Sequence, residues 1–385
     1  GAVVILDNGN IRRTIVEIIR AVVAAGLTLD RVVHDRALTV GGQGADERHG
    51  NDVLIIGGIR IEGAELLGEG AVTHNQRSVA AFLSRRFGRF RRLGRSLGGR
   101  GGLFHRRLLA GGQHHHAHAA ACMLEYGLHE KVVAIVLDGT GLGDDGKVWG
   151  GEFFLCDCKE YRRLSHFEYV PLPGGDKAAV EPWRMAVAYL WHYWGDSACF
   201  PEGFSERVGA DKIRLLMTMM ERGVNTPYTS GAGRLFDAVA SLLGLCDVST
   251  HQAEAPVKLE QAAGSEQSAR YPVIIKEGVI SFRPLFEGLL NDWASGVSVG
   301  DLAARFHNTM AFLLLDEAAR HLQQTGATRV VISGGCFQNK RLTEQLQRLF
   351  AAKGIPLYVP GRIPCNDGGV AVGQLAIAAS RNKKD

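Results

Sequence analysis

The sequence lacks long hydrophobic runs and paired cysteine motifs, and both absences narrow the class of protein. No apolar stretch approaches the roughly 20 residues that a membrane helix needs, so we expect no membrane-spanning segment. No signal peptide is visible at the start. The seven cysteines are odd in number and include no CxxC pair, which is typical of free thiols in a reducing compartment. We therefore expect a cytoplasmic protein without a disulfide framework.

A strong charge of either sign is also lacking. The formal net charge is +4 over 385 residues, so the chain as a whole does not indicate a nucleic-acid partner. Residues 85–107 depart from this balance, with nine arginines and no acid interleaved with glycines. They are either a basic arm for RNA, phosphate or an acidic partner, or a surface segment, and the lack of an aromatic pattern favours the surface segment. A third interpretation is that residues 76–112 are misread, because their Arg/Gly bias differs sharply from the composition of the residues after them.

The sequence does contain a regular alternation of helical and extended patterns, with 46% apolar and 22% charged residues as in ordinary globular proteins. We expect helices at 11–25, 113–126, 300–324, 338–353 and 369–380, with largely helical stretches at 176–222 and 234–245. We expect strands at 53–56, 131–137, 147–155, 328–333 and 356–359, a hairpin involving 59–73, and two short strands within 271–283. This alternation favours an α/β fold with mixed sheets and two or three domain-sized units.

Four histidines occupy five positions at the start of the predicted helix 113–126: His114, His115, His116 and His118. In a helix, His114 and His118 lie one turn apart on one face. Two neutral imidazoles at that spacing can bind one metal ion. The alternatives are an incidental cluster or a tag, and the internal position of the run argues against a tag. His115 and His116 should face elsewhere, either supporting the ligands or exposed to solvent.

Two predicted strands end in acidic or glycine-rich turns, Asp138-Gly139-Thr140-Gly141 and Ser333-Gly334-Gly335. Glycines at such turns let backbone amides approach phosphate oxygens, and an aspartate there can hold a cation that bridges phosphates. Asn366-Asp367-Gly368-Gly369 heads the last helix, whose N-terminus is a natural anion site. Each motif alone also fits an ordinary turn. Together with the histidine pair, they indicate a site for a metal ion and a phosphate or nucleotide.

With these motifs in order, the chain from about Gln113 to its end resembles the C-terminal part of HypF, the family of hydrogenase-maturation carbamoyltransferases. The matching blocks are QHHHAHAAA, LDGTGLGDDGKVWGGEFF, LPGGDKAAVEPWR, GRLFDAVASLLGL, FHNTMA, SGGCFQNKRL and PCNDGGVAVGQ. The resemblance implies a two-lobed α/β fold of the actin, sugar-kinase and heat-shock ATPase type, shared with the tRNA threonylcarbamoyl-transferase proteins. Residues 111–230 would form the first lobe, 231–385 the second, and 1–110 a divergent N-terminal region.

The resemblance also implies a reaction. Carbamoyl phosphate and ATP give carbamoyl-adenylate, and the carbamoyl group passes to the C-terminal cysteine of HypE for cyanide-ligand synthesis in [NiFe]-hydrogenase maturation. Full-length family members add an acylphosphatase-like domain, a zinc-finger region and a YrdC-like domain, so we expect a truncated form. Residues 59–62 lack a Lys-Asn pair that the family has after its first strand. This departure and the missing YrdC-like domain keep open a nucleotide-binding regulatory or scaffold protein. A small-molecule O-carbamoyltransferase is a third alternative, against which the missing YrdC-like domain weighs.

The resemblance assigns roles residue by residue. The metal ligands, for iron or zinc, are His114, His118, Asp138 and Asp367, and magnesium could accompany the nucleotide. Phosphate and nucleotide contacts fall on Gly139, Thr140, Gly141, Gly334, Gly335, Asn339, Arg234 and Asp237. The catalytic residues are Asp176, Lys177, Arg184 and His307, and of these Lys177 and Arg184 could hold the carbamoyl-phosphate or adenylate anion. Purely structural alternatives stay open: a helix cap for Asp367, ordinary turns for the glycines, a Glu181–Arg184 pair, a structural His307 and an Arg234–Asp237 surface pair.

Overall fold

The computed structural model describes the strands at 54–56 and 59–61 and residues 113–264 and 269–382. The chain divides into two units, with the boundary between Gly111 and Gly112. In the first unit, β1 (Leu54–Ile56) pairs antiparallel with β2 (Ile59–Ile61), as expected for a strand at 53–56 followed by a hairpin. The expected helix at 11–25, the remainder of the 59–73 stretch and the Arg/Gly segment at 85–107 lie outside the described residues.

The second unit contains a mixed sheet. Its strands are β3 (Val132–Leu142), β4 (Val148–Cys156), β5 (Tyr161–Phe167), β6 (Val170–Pro171), β7 (Tyr228–Thr229), β8 (Ile274–Lys276), β9 (Val279–Ser281), β10 (Val330–Ser333) and β11 (Leu357–Tyr358). The main strand order is β11-β10-β3-β4-β5-β9-β8, with β6 and β7 paired beside β4. Strand β4 runs antiparallel to both of its neighbours, β3 and β5, whereas β10 runs parallel to both β3 and β11. Because β3 and β10 are parallel, the turns that follow them lie at the same edge of the sheet.

Helices cover both faces of this sheet. They are α1 (His114–Glu125), α2 (Lys177–Val180), α3 (Trp183–Trp194), α4 (Phe204–Val208), α5 (Ala210–Glu221), α6 (Ala232–Leu242), α7 (Glu254–Ala262), α8 (Arg283–Ala294), α9 (Val299–Thr325), α10 (Lys340–Ala352) and α11 (Val370–Asn382). Short 3₁₀ turns span Gly195–Ser197, Gly335–Gln338 and Asp367–Gly369. Among the described residues, no helix combines the length and the apolar character needed to cross a bilayer.

The core explains why β3 is a continuous apolar run. Its alternate residues Val133, Ile135 and Leu137 belong to a large cluster with α3, α6 and α9. The residues between them face a smaller cluster that includes Ala119, Cys122 and Met123 of α1. Successive side chains of a strand point to opposite faces, so a strand covered on both faces is apolar throughout. This packing confirms a buried central strand where the sequence predicted one.

Two of the differences between the local predictions and the structure have clear physical causes. The predicted turn Asp138-Gly139-Thr140-Gly141 is part of β3, which continues to Leu142 with an irregularity between Leu137 and Gly141. The reason is that β4 pairs with Leu137 and pairs again with Gly141 and Leu142, on both sides of this irregularity. Strand β5 was not predicted, because its sequence YRRLSHF carries polar residues that tertiary packing partly buries.

The arrangement of α1, β3 and α11 positions the site. Helix α11 crosses α1 so closely that a Cβ at Gly373 would lie 1.8 Å from the carbonyl oxygen of Ala117. Only glycine permits this approach. The 3₁₀ turn Asp367–Gly369 leads directly into α11, so the crossing brings that turn to the N-terminal half of α1 and the end of β3.

Candidate metal centre

Four side chains converge where α1, β3 and the turn before α11 meet. The Nε2 atoms of His114 and His118 lie 3.3 Å apart. Asp138 Oδ2 lies 3.2 Å from His114 Nε2 and 3.5 Å from His118 Nε2. Asp367 Oδ1 lies 3.5 Å from both imidazole nitrogens. One ligand atom from each residue falls within 4.8 Å of every other, so the structure brings together all four predicted metal ligands.

These separations fit a divalent metal ion. Ligands about 2.1 Å from a tetrahedral ion lie about 3.4 Å from one another. The nitrogen–nitrogen and nitrogen–oxygen distances of 3.2–3.5 Å match that edge length. Two imidazole nitrogens and two carboxylate oxygens are a donor set suited to Zn(II) or Fe(II). An ion would also separate two imidazole nitrogens that otherwise face each other across 3.3 Å.

The electrostatics of the cluster agree with cation binding. Burial opposes the charge of Asp138, but hydrogen bonds from His114 and His118 hold its pKa well below the usual range. Hydrogen bonds from the same two imidazoles lower the pKa of Asp367. Burial disfavours protonation of His114, yet Asp138 and Asp367 outweigh it and raise its pKa to about 9. Two ionised carboxylates therefore retain positive charge on the histidines, and a metal ion can replace those protons.

The two remaining histidines of the run are buried rather than solvated. Both His115 and His116 are fully excluded from solvent, so the exposed alternative was wrong. Burial lowers the pKa of His115 to about 3, which keeps the ring neutral. Its Nδ1 lies 3.1 Å from Gln113 Nε2, and its ring occupies the space where a Cβ of Gly141 would sit. The Nε2 of His116 donates to the carbonyl oxygen of Asp157 at 2.6 Å. Both therefore fix α1 against β3 and β4.

The two glycine motifs pack beside Asp138. The backbone amide of Gly139 donates to Asp138 Oδ1 at 2.8 Å, which leaves Oδ2 to face the histidines. Gly334 has φ +104°, and a Cβ there would lie 2.2 Å from the carbonyl oxygen of Leu137. A Cβ at Gly335 would lie 3.1 Å from Asp138 Oδ1. Gly334 is therefore required for the close approach of the β10 turn to the end of β3, and Gly335 leaves little room for a Cβ beside Asp138. The neighbouring Thr140 is exposed and Gly141 half-buried.

Arg234 and Asp237 form a buried pair rather than the surface pair that the sequence left open. Arg234 Nη2 lies 2.8 Å from Asp237 Oδ2, and both residues are buried on α6. Burial raises the pKa of Asp237 to about 6, against the opposing effect of the Arg234 charge. A Cβ at Gly139 would lie 3.6 Å from Arg234 Nη2. A guanidinium group therefore lies next to the glycine segment of β3, where the sequence predicted phosphate.

Asn339 and His307 contact each other in the interior. Asn339 Oδ1 caps α10 by accepting from the amide of Leu342, and its Nδ2 lies 3.0 Å from His307 Nε2. The other ring nitrogen, Nδ1, donates to the carbonyl oxygen of Ala303 at 2.8 Å. Burial lowers the pKa of His307 to about 4. The structure therefore places His307 where it orients Asn339, and the catalytic role predicted for His307 stays a prediction.

Asp176 precedes α2, Lys177 is the first residue of α2, and Arg184 lies at the start of α3. Arg184 forms the ion pair with Glu181 that the sequence suggested. The position of a Cβ at Gly174 would be 3.3 Å from both Arg184 Nη1 and Lys177 Cβ. These two cationic residues thus flank a glycine turn with φ +89°. Their role toward an anion stays a prediction.

A buried ion pair beside the site was missed from the sequence. Glu152 is fully buried and accepts from the amides of Gly150 and Gly151 and from the hydroxyl of Ser230. Its Oε2 accepts from Arg163 Nε at 2.5 Å, and the Arg163 guanidinium lies 3.9 Å from the Trp149 ring centroid. The signal was the charge in WGGE, because a glutamate on a buried central strand needs a partner.

Comparisons with known proteins match most of the second unit to carbamoyltransferases. The family model described as carbamoyltransferase, Kae1-like domain, second subdomain, matches residues 134–374. The carbamoyltransferase HypF homolog of Cupriavidus necator is 41% identical over 276 residues, covering 69% of this chain and 70% of the relative. Carbamoyltransferase HypF of Rhodobacter capsulatus is 40% identical over 274 residues, covering 70% of this chain. The match spans only 35% of the Rhodobacter protein's length.

A solved structure shows the same architecture. The crystal structure of full-length HypF in the phosphate- and nucleotide-bound form aligns with a TM-score of 0.67 and 36% identity. The alignment covers 71% of this chain and 43% of that one. The likeness confirms the predicted α/β fold of the actin, sugar-kinase and heat-shock ATPase type. The family model covers more than half of the residues and the Cupriavidus relative is matched over most of its length; this chain belongs to the HypF family of carbamoyltransferases.

Proposed function

We propose that this chain is a carbamoyltransferase of [NiFe]-hydrogenase maturation. It would use carbamoyl phosphate and ATP, through carbamoyl-adenylate, to carbamoylate the C-terminal cysteine of HypE for cyanide-ligand synthesis. The observation that carries the proposal is the four-residue cluster of His114, His118, Asp138 and Asp367 beside two glycine-containing segments, the end of β3 and the turn after β10. Family membership supports carbamoyl transfer, and the phosphate- and nucleotide-bound form of the structural relative supports the choice of substrates.

The cluster residues would hold a zinc or iron ion. When bound, such an ion supplies a Lewis acid that neutralises phosphate charge and orients the bound anion. Arg234 places a second positive charge beside Gly139, and its pair with Asp237 fixes the guanidinium group. The exposed Thr140 and the half-buried Gly141 are available to contact phosphate oxygens. Lys177 and Arg184 would hold the anion from the loop around Gly174.

The thiols near the cluster do not favour a covalent enzyme intermediate. Burial raises the pKa of Cys336 well above its ordinary value, and burial also raises the pKa of Cys365. A nucleophilic cysteine needs a lowered pKa. Carbamoyl-adenylate is already activated: the acceptor sulfur would form a bond to the carbamoyl carbon while AMP leaves with the electron pair of the broken C–O bond. Positioning and electrostatics can then supply the rate.

Transfer of label tests this proposal. Purified chain is incubated with ATP, radiolabelled carbamoyl phosphate and HypE, beside a His118→Ala variant and, as a matched control, His129→Ala at an exposed position. Label on HypE that requires ATP and His118, but not His129, is the expected result. An amino-sugar alcohol offered in place of HypE tests the small-molecule alternative, since preferential labelling of the alcohol would contradict transfer to cysteine.

A second arm separates synthesis of the adenylate from its use. This second arm matters because the sequence match covers only 35% of the length of the Rhodobacter protein. If label appears only when synthetic carbamoyl-adenylate is added, the chain carries out transfer and depends on another source of the adenylate. No label under either condition, with nucleotide binding intact, would contradict the proposal and favour a nucleotide-binding regulatory protein.

A further inference from the structure

The loop that carries Asp367 is held by the end of α1. Glu125 is the last residue of α1, and its carboxylate accepts hydrogen bonds from three consecutive backbone amides of this loop. The bonds run from Gly361 N to Oε1 at 3.1 Å, from Arg362 N to Oε1 at 2.7 Å and from Ile363 N to Oε2 at 3.1 Å. The loop therefore cannot move away from α1 without breaking all three bonds.

A carboxylate that faces three amides is a strong local attachment. Each bond is charge-assisted, and hydrogen bonds with an ionised acceptor are roughly twice as strong as neutral ones. Consecutive backbone amides also form a concave site for an anion. The next residue, Tyr126, adds a second attachment, because its hydroxyl donates to the carbonyl oxygen of Val359 at 2.6 Å. The end of α1 thus fixes the loop at two successive points.

The segment between this attachment and the metal ligand Asp367 is short and constrained. Only Pro364, Cys365 and Asn366 lie between residues 361–363 and Asp367. The proline fixes its own φ, the carbonyl oxygen of Cys365 accepts from Gly334 N at 2.8 Å, and Asn366 Oδ1 accepts from Gly368 N at 3.0 Å. A displacement of residues 361–363 should therefore reach the Asp367 carboxylate.

The same helix supplies ligands at its other end. His114 and His118 lie in the first turns of α1, and Glu125 lies at its last residue. We propose that Glu125 is a positioning residue of the metal centre. By holding the loop, it sets Asp367 Oδ1 at 3.5 Å from both imidazole nitrogens. The inference rests on the metal centre of the proposed function, but it concerns ion affinity rather than the reaction.

Titration with Co(II), followed through its visible absorption, tests the inference on the full chain. Glu125→Gln removes the charge and one acceptor oxygen, and turns an NH₂ group toward backbone donors. We expect it to weaken Co(II) binding by about 10- to 100-fold, the range seen when groups that orient metal ligands are lost. Glu125→Asp, which keeps the charge but shortens the reach, should lose less. Glu221→Gln is the matched control, since Glu221 is the exposed last residue of α5.

A double-mutant cycle separates positioning from a general structural role. If Glu125 acts through Asp367, then Glu125→Gln should leave Co(II) affinity within about twofold when Asp367 is already alanine. An equal loss in both backgrounds would overturn the inference, as would an unchanged affinity of Glu125→Gln alone. Failure of the unsubstituted chain to bind Co(II) would instead overturn the metal centre itself and the inference with it.

Discussion

The metal centre and a second histidine–carboxylate cluster, around His321 and Glu317, differ in their exposure to solvent. In the metal centre, two histidines meet two carboxylates, and the side chains of His114 and Asp367 are 26% and 71% exposed. In the second cluster, His321 Nε2 lies 3.0 Å from Glu317 Oε1 and 2.8 Å from Ser165 Oγ. The His321 and Glu317 side chains are only 2% and 1% exposed.

The comparison shows that similar side chains form a cation site or a structural contact, depending on their partners. In the second cluster, Arg320 also pairs with Glu317, so the carboxylate charge is already balanced within the protein. The metal centre instead gathers two carboxylates around the same two nitrogens and leaves one carboxylate open to solvent. Two carboxylates with an open side favour exchange of the imidazole protons for an external cation, whereas a balanced and sealed cluster joins α9 to β5.

The largest expected difference between the clusters is in metal affinity. His118→Ala removes one of four ligands and leaves the two carboxylates with the imidazole of His114, so Zn(II) affinity should fall by more than about 100-fold. Calorimetric titration of Zn(II) measures it. His321→Ala should bind Zn(II) as the unsubstituted chain does. Equal losses in the two variants would show that the clusters are not functionally distinct.

The free energy of unfolding should fall more for His321→Ala than for His118→Ala, the reverse of the order for metal affinity. His321→Ala removes a buried hydrogen-bonding partner of Glu317 and Ser165 and opens a cavity beside Phe153. We expect the free energy of unfolding to fall by about 3 kcal/mol, in the range for breaking a buried pair from one side. Urea denaturation of the metal-free proteins measures the change. A loss as small as that of the exposed-site variant His129→Ala would contradict a structural role for this cluster.

The sequence distinguished these clusters only in part. His114 and His118 share the four-residue spacing of Glu317 and His321, so spacing alone does not separate a metal pair from a structural pair. Asp367 was predicted because it belongs to a local motif, PCNDGG, which the family resemblance assigns to the site. The contribution of Ser165 could not be predicted, because its strand β5 was not recognised.

The same distinction applies to the fold. Helices α9 and α10 were predicted closely, since their apolar periodicity depends on nearby residues. The extension of β3 through Asp138 was not predicted, because it depends on continued pairing with β4. The hydrogen bonds from residues 361–363 to Glu125 join positions more than two hundred residues apart. No local sequence pattern indicates such a contact. Local periodicity and motifs are therefore visible in one sequence, whereas long-range partners are not.

The smallest expected effect is the acid dependence of the sealed cluster. Burial opposes the charge of Glu317, but hydrogen bonds from Arg320, His321 and Ser165 outweigh it and lower its pKa from 4.5 to about 2. A carboxylate with a lowered folded-state pKa contributes stability that is complete above the unfolded pKa and is lost as the pH falls toward the folded pKa. Between pH 6 and pH 3 this linkage should remove about 2 kcal/mol from the unfolding free energy.

Glu317→Gln cannot lose that contribution on acidification. Its unfolding free energy should be lower at pH 6 and should decline by about 2 kcal/mol less between pH 6 and pH 3 than that of the unsubstituted chain. Urea denaturation of metal-free protein at the two pH values measures the difference, and Glu221→Gln controls for the loss of an exposed carboxylate. Parallel declines in all three proteins would mean that the charge of Glu317 contributes nothing to folding. The sealed cluster would then act through packing alone, which would sharpen its contrast with the charged, open metal centre.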